Sequence, residues 1–159
     1  MHPHAALIEK FYAGFQARKP SEMIACYHRE VRFDDPVFPG LGYAEVSGMW
    51  RMLDERGKDL QVSSSGIDAD DRSGRAHWEA IYTFSATGRK VHNRIDAEFE
   101  FRDGLIVAHR DRFDFWAWTR MALGLKGLLL GWTPLVQGAV RSQARRALEK
   151  YMAASGRTS

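Results

Sequence analysis

The sequence predicts an α+β domain: helices first, then a curved antiparallel sheet wrapped around the first of them, then a C-terminal helical extension. Three observations carry that reading. Apolar residues recur at helical spacing up to Gly57, the period changes to two from Leu60 to Phe115, and helical spacing returns after Asp114. A chain of 159 residues, 45% hydrophobic and 12% aromatic, is one ordinary globular unit with enough apolar surface for a core. Residues 1–115 are expected to form the α+β unit and 116–159 an extension packed on the same unit or on a dimer partner.

From His4 to Arg18, the residues Ile8, Phe11, Tyr12 and Phe15 fall on one face of a first helix. Pro20 breaks it, and Ser21 is placed to cap a short second helix through Cys26 and Tyr27. Val31 to Asp35 alternates as a strand, with Val31, Phe33 and Asp35 on one face, and the Pro36–Gly42 loop ends it. A third helix runs from Tyr43 to Arg56, with Val46, Met49, Trp50 and Leu53 as its buried stripe and Gly57 as its stop.

Strands follow over Leu60–Ala69, Arg75–Ser85, Lys90–Arg102 and Leu105–Phe115. Turn residues at Asp70–Gly74, Thr87–Gly88 and Asp103–Gly104 make them antiparallel hairpin neighbours. One face of the second of these strands carries Trp78 and Tyr82; one face of the third carries Phe99, with Asn93 the polar residue in an apolar row. In the last strand Leu105, Val107, His109, Asp111, Phe113 and Phe115 share the more apolar face. Two ionisable side chains in a core-facing row cost free energy unless they are paired or line a wet cavity. Helices resume over Phe115–Leu130 and Pro134–Ala154, joined at Gly131–Thr133.

Several functions are disfavoured by composition. The formal charge is only +3, and the late basic residues Arg141, Arg145, Arg146, Lys150 and Arg157 read as a solvated helix face with no nucleic-acid motif beside them. Cys26 is the single cysteine, so no internal disulfide forms, and it reads as a small buried hydrophobe. The first residues lack the basic start and apolar run of a secretory signal, so a cytoplasmic location is expected. Trp116 to Val136 is apolar, but Arg120, Lys126, three glycines and Pro134 interrupt it, so no membrane span and no membrane-surface contact are expected. No ligand spacing calls for a metal, and no motif calls for a cofactor.

Two stretches carry a family resemblance: YHREVRFDDPV, from Tyr27 to Val37, and FRDGLIVAHRDRFD, from Phe101 to Asp114. Over about Leu7 to Asp114 the chain resembles the nuclear transport factor 2-like superfamily, in its SnoaL-like and ketosteroid isomerase-like branch. The resemblance implies a conical fold, a two-fold homodimer and a small apolar ligand. It puts Asp35 at the catalytic base of the isomerases and Asp111 at the working aspartate of the cyclases and of limonene epoxide hydrolase. Two parts of the pattern are missing. Phe11 and Ala97 stand where the isomerases keep their oxyanion pair, with Tyr12 and Asp96 each one residue off, and Trp78-Glu79-Ala80 replaces the Arg-x-Asp of the epoxide hydrolase.

Asp35, His109 and Asp111 are therefore the candidate catalytic residues, with Tyr12, Trp78, Tyr82, Asn93, Phe99 and Phe113 as candidate pocket residues. The plainer alternatives are that Asp35 is a turn residue bonding local amides, Asp111 a structural pair with an arginine or His109, and the aromatics ordinary core. Two function classes stay open: a metal-free acid–base enzyme of isomerase, cyclase or hydrolase type, or a non-catalytic ligand-binding or assembly module of the same shape.

Overall fold

A computed structural model describes residues 1–156; Arg157 of the basic tail lies outside the described residues. The order of elements is α1 (Pro3–Gln16), α2 (Pro20–Ile24), β1 (Tyr27–Asp34), α3 (Tyr43–Arg56), β2 (Gln61–Ala69), β3 (Ser73–Phe84), β4 (Arg89–Arg102), β5 (Leu105–Arg112), α4 (Phe115–Leu123), α5 (Leu125–Leu130) and α6 (Pro134–Ser155). The five strands form one sheet in the order β1-β5-β4-β3-β2. The hairpins β2–β3, β3–β4 and β4–β5 pair antiparallel, while β1 joins the edge parallel to β5.

Register shifts in β1, β2 and between β4 and β5 bend the sheet toward α1. In β2 the shift falls at Gly66, whose φ of +61° a side chain would resist. In β5 it falls at Val107: Glu100 faces Ala108, but Phe101 faces Ile106. The inward row expected to include Leu105 and Val107 therefore changes phase. Ile106 is fully buried and the other two are half-buried, while His109 and Asp111 beyond the bulge still point inward.

The second helix is shorter than expected and starts two residues earlier. Pro20 occupies its first turn, where a missing N–H costs nothing, and Lys19, not Ser21, precedes it as cap. Tyr27 consequently belongs to β1. On α3, Leu53 is partly exposed, whereas Gly48 and Met52 are buried, because α6 packs on that side and Met152 lies against Gly48. The C-terminal extension is three helices, not two; Gly124, with φ +67°, breaks the first after Leu123. Phe115, Trp118 and Ala122 of α4 pack on Val91 of β4, along the stretch that β5 does not reach. Leu148 of α6 joins the main core with Phe11, Phe33 and Met49. Full burial of such a side chain contributes about 1.5–3 kcal/mol, so α6 is an integral layer and not a tail.

Candidate functional site

The site begins with β5, whose period of two delivers His109 and Asp111 to the same inner face. His109 lies between Phe33 of β1 and Phe99 of β4 in register, and the Phe99 ring sits 4.5 Å from the imidazole centroid. Both residues are buried. An orderly chain of hydrogen bonds accounts for their polar atoms. Trp50 Nε1 can only donate, and it donates to the Tyr27 hydroxyl at 3.0 Å. The tyrosine proton then goes to His109 Nδ1 at 2.8 Å, which leaves the other imidazole proton on Nε2, 2.9 Å from Asp111 Oδ1. Trp78 Nε1 donates to the same oxygen at 3.2 Å. In this arrangement every donor has an acceptor and the Nε2–H tautomer is fixed. Burial pushes the Tyr27 phenol well above its ordinary range, so it keeps the proton this chain requires.

Asp35 follows the last residue of β1. Its Oδ1 accepts from the amides of Val37 and Phe38 at 2.7 and 2.6 Å, the turn that the following proline favours. It also lines a cavity of about 400 Å³ together with Asp111, Trp78, Tyr82, Asn93 and Phe113. The two readings of Asp35 are thus compatible: the turn orients the carboxyl, and the cavity receives it. Burial raises its pKa to about 7; the Val37 and Phe38 amides oppose the rise, and the nearby Asp111 charge adds to it. The floor of the cavity comes from β3 and β4, and its far wall from α6 through Val140, Gln143 and Ala144. Tyr82 accepts from Trp118 Nε1 at 2.8 Å, which ties α4 to the cavity wall.

Three candidate residues do not line the cavity. His109 stands behind Asp111, and Phe99 behind His109. Tyr12 turns into the core beside Trp78 and Phe99, where burial drives its phenol well above the usual range and its hydroxyl has no partner among the described residues. Asp96 projects to the outer face of the sheet and meets His77 at 2.9 Å. Burial pushes the Cys26 thiol up to about 11, which makes it a poor nucleophile. Among the described residues no three His, Cys, Asp or Glu side chains converge as a metal-binding group. Sequence reasoning missed Tyr27 and Trp50. The available signal was that an indole on a buried helical stripe must find an acceptor.

Residues 8–109 match the family model of the SnoaL-like domain. In structure the chain is similar to an NTF2-like protein of unknown function from Burkholderia pseudomallei K96243, at 17% identity over 76% of this chain and 98% of that one, with a TM-score of 0.67. It is also similar to TerC, co-crystallised with polyporic acid, at 18% identity over 76% and 98% with a TM-score of 0.65. An LEH-like epoxide hydrolase of M. tuberculosis aligns at 20% identity over 84% and 95%, with a TM-score of 0.60. At such identities the likeness is one of fold. No curated protein matches the chain in sequence.

Proposed function

The chain belongs to the SnoaL-like domain family, and on that premise we propose that it performs acid–base chemistry on a small, largely apolar molecule held between α3, α6 and the sheet. The observation that carries the reading is a pair of carboxyls in unlike settings on one apolar cavity. Asp35, with a pKa of about 7, is poised at neutral pH both to take a proton from a bound substrate and to return it. Asp111 is oriented by His109 and Trp78 through one oxygen; among the described residues none donates to the other, which is left for a substrate hydroxyl. His109 and Tyr27 act as positioning residues, because they touch Asp111 or one another and not the cavity, while Trp50 both lines the cavity and donates to Tyr27. The aromatic walls limit water and strengthen these interactions.

The test is turnover of a ketosteroid, a polyketide ester and a terpene epoxide, followed against pH. Activity on any of them with an ionisation near 7 that disappears in Asp35→Asn supports the proposal. Turnover unchanged in both Asp35→Asn and Asp111→Asn overturns it. One observation favours a second reading, a module that binds without turning over. The hydroxyl nearest the isomerase pattern, on Tyr12, is sealed in the core, so the tyrosine of that pattern does not face the cavity. Tight binding to any of the three probes without conversion would select this second reading. The two-fold dimer that the resemblance implies would pair outer sheet faces, here laced with ion pairs such as Arg110–Glu98 and Arg94–Glu79.

A further inference from the structure

The stretch from Leu125 to Leu135 reverses the usual order of a soluble helix. α5 seats on α4 through Gly127 and Gly131, whose backbone lies so close to Thr119 that a Cβ on either would collide with it. Small residues therefore face the protein and large ones face away. Leu125, Leu128, Leu129, Leu130, Trp132 and Leu135 are each between 47% and 84% exposed. Singly exposed leucines need no explanation, but six large apolar side chains crowded at one tip do.

The surroundings of the tip are cationic. Between Asp114 and Glu149 the chain has no acidic residue, while it carries Arg120, Lys126, Arg141, Arg145 and Arg146. Beside the tip, between α4 and the edge of β4 left free by β5, lies a cleft of about 600 Å³ lined by Arg89, Lys90, Arg94 and Arg120. Asp114 is the one carboxylate among its described lining residues, and it is occupied in capping α4 through the Ala117 amide. The Arg89 guanidinium lies against Gly124 at the base of α5. Arg120 stacks 4.4 Å over the Trp116 ring, whose indole donates to the Leu128 carbonyl at 3.3 Å. Arg89, Arg120 and Lys126 pair with no carboxylate among the described residues.

We propose that this tip docks on an anionic membrane surface, with Leu128, Leu129 and Trp132 at the acyl boundary and Arg89, Arg120 and Lys126 among the phosphates. Apolar side chains with an interfacial tryptophan, bordered by unpaired cations, have the chemistry that holds a protein on such a surface without crossing it. Among the described residues no helix is long and apolar enough to span a bilayer. A second copy of the chain fits the tip less well. An isologous contact would bring the same cations together across the two-fold axis, with no acid in the segment to meet them.

The experiment is co-sedimentation of the full chain with vesicles of phosphatidylcholine alone and of equal parts phosphatidylcholine and phosphatidylglycerol, alongside sedimentation velocity without lipid. The chain should partition onto the anionic vesicles, and added salt should release it. Leu129→Ser with Trp132→Ser should weaken partitioning about tenfold or more. Arg120→Gln and Lys126→Gln should each weaken it roughly fivefold on anionic vesicles only. All four side chains are exposed, and an unchanged melting curve shows that the variants fold. A chain that stays in solution with both vesicles overturns the proposal. So does a dimer that the Leu129/Trp132 variant converts to monomer, which would assign the tip to a second copy. Neither result depends on what the cavity holds.

Discussion

At the residue scale the most testable feature is the part-buried carboxyl of Asp35. Its pKa rises from 3.8 in the unfolded chain to about 7 in the folded one, chiefly through burial. Between those values the native state holds a proton that the unfolded chain has lost. The associated stability is complete below about 4 and declines as the pH rises through about 7. Asp35→Asn keeps an oxygen for the Val37 and Phe38 amides and cannot ionise. The variant should therefore gain roughly 1–3 kcal/mol on the wild type above neutrality and lose that part of the pH slope, a range reduced for partial solvent exposure. Urea denaturation across the acid range measures it; parallel slopes in the two proteins would remove the ionisation from the site. The sequence made Asp35, His109 and Asp111 visible because each broke an apolar row. It left Tyr27 and Trp50 hidden, since both fit their local patterns as plain core and their hydrogen bonds are made across the fold.

At the scale of elements, the glycines of the C-terminal region show how a correct observation can carry the wrong meaning. In the sequence they interrupt an apolar run, yet Gly127 and Gly131 are the contact surface by which α5 meets Thr119 of α4. Gly127→Ala should therefore destabilise the protein by about 1–3 kcal/mol through overpacking, even though alanine is the better helix former by about 1 kcal/mol. Thermal melting gives the sign; a stabilised variant would mean that α5 is not seated where the structure has it. The hairpins β2 to β5 were legible from alternation and turn residues, both of which are local signals. The parallel pairing of β1 with β5 was not, because neither strand carries a mark of its partner in its own residues.

At the scale of the molecule, the C-terminal helices are structural walls. α4 covers the edge of β4 that β5 leaves free, α6 lines the cavity, and Leu148 is buried in the main core. A chain ending at Asp114 should therefore expose that edge together with Val91 and Tyr82 and be recovered as aggregate, as size-exclusion chromatography will show. A soluble, folded monomer would instead make the extension a dispensable lid. That layering was beyond the sequence, which shows that the segment is apolar but not what it covers. The parallel edge also sets a timetable. β2 to β5 can form hairpin by hairpin, whereas Phe33 must find His109 after nearly half the chain has intervened. The N-terminal segment is thus expected to dock late, bringing Tyr27 to the imidazole at the end of folding. Until it arrives, the outer edge of β5 is a bare template for other chains, and the newly made protein is most vulnerable at the strand that carries the buried His109 and Asp111.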